Sequence, residues 1–155
     1  PARVTTRTDG VAHLALSQVG AVVRRQDPGY SPHGVAPRPW KVDFVRWCYQ
    51  RGAEFDIYGA LGDAVFWTPL LSRLGVEAGW EVAEREPGDI IVVRPTKRTP
   101  ARVGICFEAM TMGAGDTSPT SVGPSSGGGM VCLTEVPLSR DACVVLRPPV
   151  QRRAG

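Results

Sequence analysis

Apolar residues recur with a helical period as far as Trp80 and crowd into β-branched runs after it, and this change of period limits the fold more than any other feature. Asp9 reads as an N-cap, and Val11, Leu14, Ala15, Val19 and Val22 then fall on one face of a first helix before Arg24 and Arg25. Residues 26–39 (QDPGYSPHGVAPRP) hold four prolines and two glycines, a loop whose last residue, Pro39, opens a second helix. On that helix Trp40, Phe44, Trp47, Cys48 and Arg51 share a stripe with a buried aromatic face, and Gly52 is its stop. A third helical segment is expected from Leu61 to Trp67. Thr68 and Pro69 read as the cap and first position of a short helix closing at Gly75. Pro87, Gly88 and Asp89 then turn the chain into Ile90–Val93, with further strands expected at Val103–Phe107, Val131–Val136 and Cys143–Leu146. Helices first and an antiparallel sheet second make an α+β plan, with N-terminal helices packed on a C-terminal sheet.

A chain of 155 residues has room for one domain, here with a core from about residue 9 to 147. No apolar run approaches the roughly 18 residues of a membrane span, so no membrane partner is expected. The net charge of +3 is not gathered into a basic stripe, so nucleic acid is not an expected partner either. Lysine occurs only at Lys41 and Lys97 and asparagine not at all, a bias that fits a GC-rich coding sequence such as that of an actinobacterium or one of its phages. The cysteines Cys48, Cys106, Cys132 and Cys143 have neither CxxC nor Cys/His spacing, so buried thiols are expected, with no metal and no cofactor. The start PARVTTRTDG lacks the pattern of a secretory leader, so synthesis in a host cytoplasm without a signal peptide is expected.

Between Gly113 and Gly129 the sequence GAGDTSPTSVGPSSGGG is too poor in apolar residues to order itself, and a long mobile loop is expected. Trp40, Trp47, Phe66, Trp67 and Trp80 could stack on sugars. Helical spacing assigns most of them to the core and leaves Trp40 and Trp80, flanked by loops, as surface candidates. The RTPAR stretch at 98–102 and the terminal QRRAG read as solvated charged edges.

The order of elements, with PWKVDFVRWC at 39–48, REPGDIIVV at 85–93 and RVGI at 102–105, resembles the CHAP amidases, papain-like peptidoglycan hydrolases. The resemblance covers about Val11 to Leu146. It implies a papain-like fold with a cysteine nucleophile at the start of a helix and a histidine base at the start of a strand. A helix N-terminus lowers a thiol's pKa, an imidazole takes its proton, and a third polar group orients the ring. The position after the Pro-Trp pair is Lys41 here, and the one that opens the strand is Arg102. The orienting acid and amide fall near Ala114 and Asp116. An ammonium is not a nucleophile and guanidinium stays protonated, so the thiol mechanism is absent. Lys41 is then expected to reach solvent or an acid such as Asp43 or Asp116. Cys48 lies about 10 Å further along the helix in the core, and Cys106 follows Arg102 by four residues on the same side of its strand. His13 on the polar side of helix one and His33 in the Pro-rich loop read as surface residues.

Together these expectations describe a catalytically silent CHAP-like chain in a phage virion, a tail or capsid-associated subunit that contacts other virion proteins or copies of itself. The 113–129 loop and the chain ends would serve as contacts. The alternatives are residual wall hydrolysis and a peptidoglycan-binding module, in which Trp40, Lys41, Arg102 and Asp116 are the candidate residues and Lys41 and Arg102 would meet the carboxylates of muropeptide fragments.

Overall fold

The computed structural model describes residues 7–24, 29–32, 38–98, 100–107, 110–114, 128–135 and 140–150. Among these described residues, four α-helices, α1 (Arg7–Ser17), α2 (Lys41–Ala53), α3 (Ile57–Leu61) and α4 (Thr68–Glu77), are accompanied by six strands: β1 (Val22–Arg24), β2 (Ile90–Val93), β3 (Arg102–Phe107), β4 (Met110–Ala114), β5 (Gly128–Glu135) and β6 (Cys143–Leu146). The strands form one sheet in the order β1-β5-β4-β3-β2-β6, with every neighbouring pair antiparallel. The class is α+β. Ile90, Val92, Val103, Ile105, Val144 and Leu146 face the helices and bury against Val11, Ala15, Phe44, Val45 and Cys48. Each such side chain contributes about 1.5–3 kcal/mol by leaving water. The opposite face carries a smaller cluster around Ile91 and Cys106, joined by Val93, Cys143 and Val145.

Several boundaries differ from the sequence expectation. Asp9 lies inside α1 and not ahead of it, and α1 ends at Ser17, whose hydroxyl bonds back to the Leu14 carbonyl at 2.6 Å. Gly20 takes a φ of +93°, the chain reverses, and Val22 enters an edge strand where its side chain is mostly exposed. The helical spacing of Val19 and Val22 was therefore fortuitous: a glycine with left-handed backbone overrides it. The single helix expected over Leu61–Trp67 is instead the last residue of α3 followed by a 3-10 turn at Asp63–Phe66. The break is Gly62, at φ +95°. Asp56 begins α3 by accepting the Tyr58 N–H at 3.1 Å.

Gly52 does not stop α2. The left-handed residue is Glu54, and Gly52 lies two residues earlier, where a Cβ would stand 2.9 Å from the Val11 Cα. Its lack of a side chain lets α1 cross α2 closely. Glycine serves packing again at Gly113 and at Gly75, where a Cβ would meet the Val103 carbonyl and the Leu146 side chain respectively. The flanks of the expected 113–129 loop are thus strand: Gly113 pairs with Cys132, Ala114 with Val131, and Gly128 and Gly129 with Arg24 and Val23. The remainder of that loop, 115–127, lies outside the described residues.

The turn into β2 is clamped by charge. Asp89, fully buried, accepts the Arg147 Nε at 2.8 Å and its second nitrogen at 2.9 Å, tying the end of β6 to the start of β2. Gly88, at φ +96°, donates to Cys106 at 2.8 Å and accepts a hydrogen bond from the Tyr49 hydroxyl of α2. Gly52→Ala is expected to cost about 1–3 kcal/mol in urea unfolding, because the clash is with backbone and not with a mobile side chain. Arg147→Met is expected to cost about 3–5 kcal/mol, since it leaves the Asp89 carboxylate buried without its cation.

Candidate functional site

Lys41 is the first residue of α2, with Trp40 as an N-cap that supplies no side-chain bond. The half-buried Lys41 ammonium donates to the Ala101 carbonyl at 2.6 Å. This contact joins the head of α2 to the residue before β3. Of the expected outlets for this charge, Asp43 is engaged elsewhere and Asp116 lies outside the described residues; the ammonium, half-exposed, bonds a backbone oxygen. A cation in the first turn opposes the helix dipole by about 0.3–1 kcal/mol, and a charge-assisted bond of about 1.5–3 kcal/mol outweighs it.

Asp43 is unavailable to Lys41 because both its oxygens are engaged. Its Oδ2 accepts from Ser31 at 2.9 Å and from the Arg38 Nε at 3.2 Å, and its Oδ1 from the other Arg38 nitrogen at 2.8 Å and from the Tyr58 hydroxyl. The carboxylate has no exposed surface. Burial pushes the Tyr58 phenol well up, and the charge of Asp43 adds to the effect. Burial alone would lower Arg38; its bonds to Asp43 outweigh that and raise it.

Arg102 opens β3 opposite Val93. Alternation along the strand assigns it to the face of Gly104 and Cys106, turned away from the face on which Val103 and Ile105 meet the helices. The fold therefore brings Lys41 to the residue preceding Arg102, while the Arg102 side chain belongs to the other face of the sheet. Ala114 ends β4 beside Val131, and Asp116 and His33 lie outside the described residues. His13 is exposed on α1, with its ring 5.9 Å from that of Phe107.

The aromatic expectation holds for Trp47 and Phe66, which pack against the core, and is reversed for the other three. Trp40 and Trp80 are 2% and 6% exposed, and Trp67, assigned by its spacing to the core, is 61% exposed at the head of α4. Trp40 stacks on Tyr30 at 5.9 Å and is crossed edge-on by Phe44, and its indole Nε1 is buried without a hydrogen-bond partner. The loop residues on either side of Trp40 suggested a surface position. An aromatic cluster of Tyr30, Trp40, Phe44 and Trp47 built across that loop encloses it instead.

No disulfide joins the four cysteines. Cys48 and Cys106 are buried, and Cys132 and Cys143 half-buried. Burial pushes the Cys48 thiol far up and Cys106 to about 11. A nucleophilic thiol needs the opposite shift. Among the described residues no three His, Cys, Asp or Glu side chains form a group that could hold a metal ion.

Lys41→Met is expected to lower stability by about 1–2 kcal/mol, the bond to Ala101 less the relieved dipole repulsion. In native protein at pH 8, Cys48 and Cys106 are expected to react with iodoacetamide about a hundredfold or more slowly than in urea, as thiol digestion and mass mapping would read. The folded state keeps Cys106 protonated to about pH 11, and an ordinary thiol ionises near 9. Its contribution to stability is therefore whole below pH 9 and lost as pH rises toward 11, which urea unfolding at stepped alkaline pH would follow. Comparison of this chain with family models, with curated proteins and with solved structures finds no match.

Proposed function

We propose that this chain is a catalytically silent, CHAP-like α+β domain with the papain-like arrangement, acting as a structural or binding subunit. The setting we infer is a phage particle, with other virion proteins or further copies of the chain as partners. The observation that carries the reading is the bond from Lys41 to the Ala101 carbonyl. A helix head lying against the start of a sheet strand is where a thiol and an imidazole would have to meet. Here that junction is closed by an ammonium on a backbone oxygen, a contact that holds the helix in place and transfers no proton. The raised thiols of Cys48 and Cys106 agree with it, since neither supplies a thiolate near neutral pH.

Purified bacterial cell walls mixed with the protein are expected to keep their turbidity, with Lys41→Ala indistinguishable from the parent. A turbidity loss that follows protein concentration would overturn the assignment as a silent domain. Mass spectrometry of purified phage particles is expected to recover the chain in many copies, and its absence from them would remove the virion setting.

A further inference from the structure

Charge is segregated along strand β2. The segment that leads into it carries Glu81, Glu84, Glu86 and Asp89 against one cation, Arg85. The segment that leaves it carries Arg94, Lys97, Arg98 and Arg102 with no acid among residues 94–102. Strand pairing places the two at opposite ends of the sheet. Glu81 bridges to Leu146 at the end of β6, and the Gly88 N–H donates to the Cys106 carbonyl near the end of β3, whereas the Arg94 N–H donates to the Ala142 carbonyl just ahead of β6. The four residues of β2 hold these ends about 13 Å apart. Glu81, Glu84 and Glu86 are exposed, and so are Arg94, Lys97 and Arg98. Arg147 reaches Glu86 at 3.6 Å, but its two short bonds go to the buried Asp89. At the cationic end Asp141 also precedes β6, and the Lys41 ammonium on the Ala101 carbonyl adds a further positive charge.

We propose that these ends are complementary docking surfaces through which a second copy of this chain adds head to tail, residues 94–102 of one copy meeting residues 81–86 of the next. The proposal rests on the reading of further copies as partners and deepens it by naming the surfaces; it is indifferent to catalysis and to the setting. Charge selects the occupant. Each end supplies what the other lacks, and the two cannot meet within one molecule because β2 stands between them. The cationic segment holds no aromatic residue, so it offers no platform on which a nucleic-acid base could stack. The two surfaces differ, so the contact is heterologous and each added copy presents a fresh end. Exposed charges act over a screened distance, which makes the contact weak and salt-dependent.

Sedimentation equilibrium of the full chain, up to about 1 mM, tests the proposal. At about 10 mM ionic strength, where charges reach over about 30 Å, the weight-average mass is expected to climb with concentration past that of a dimer. At about 1 M, where the reach is about 3 Å, it is expected to stay at the monomer. The double variants Lys97→Gln with Arg98→Gln, and Glu81→Gln with Glu84→Gln, alter exposed side chains only. Each alone is expected to remain monomeric at low salt, and their equimolar mixture to form dimers and stop there, because one intact pair of ends survives. A parent that is monomeric at low salt would overturn both these surfaces and the self-association beneath them. A variant that associates as strongly as the parent, a mixture that stays monomeric, or a parent that stops at a dimer would overturn the surfaces while keeping further copies as partners. Gathering of a monomeric parent by inorganic polyphosphate would assign the cationic end to a foreign anion and overturn the second copy as its occupant.

Discussion

Helix α2 is pinned along strand β3 at both ends, and the other elements take their positions from that attachment. At its head the Lys41 ammonium holds the Ala101 carbonyl, and toward its tail the Tyr49 hydroxyl holds the Gly88 carbonyl, beside the end of β3. Between these polar ends Phe44, Val45 and Cys48 are fully buried in the core shared with the sheet. Apolar burial supplies most of the free energy but is indifferent to sliding by a turn; two hydrogen bonds to named carbonyls fix the register. With α2 fixed, Gly52 sets how closely α1 crosses it, and Asp43 gathers Ser31, Arg38 and Tyr58 around its first turn.

The same attachment bears on chemistry. A helix head is favourable for an anion, and a thiolate there would be stabilised by the dipole. Lysine reverses the sign, so its charge must be met locally, and the carbonyl of Ala101 meets it. Lys41 thereby holds the head of α2 to the residue before β3.

Much of the architecture was legible in the sequence, and the places where it was not share a cause. Ile90–Val93 and Cys143–Leu146 were readable to the residue because β-branched runs bounded by turns leave little choice. β4 was not, since Met110–Ala114 owes its place to pairing with β3 and β5 and carries almost no strand preference of its own. β1 was hidden by valines at helical spacing, and only the left-handed Gly20 breaks that pattern. At the candidate site, the charge at Lys41 and its incompatibility with thiol chemistry could be read directly from PWKVD. Its partner could not, because Ala101 is 60 residues away and contributes a backbone atom that no side-chain pattern marks. The burial of Trp40 was missed because loop flanks suggest a surface, which only the Tyr30 cluster contradicts, and the exposure of Trp67 because Gly62 interrupts the helical spacing that assigned it to the core.

The buried charges separate what the fold requires from what it leaves open. Asp89 and Asp43 are both fully buried, and each is held by an arginine through two nitrogens, Asp89 by Arg147 from beyond β6 and Asp43 by Arg38 from just before α2. In both cases the carboxylate is the inaccessible partner and the arginine the one nearer solvent, so each buried carboxylate has its cation beside it. Arg46 differs from both: its Nε is enclosed without a hydrogen-bond partner among the described residues, and its ring partner Tyr58 is shared with Arg38.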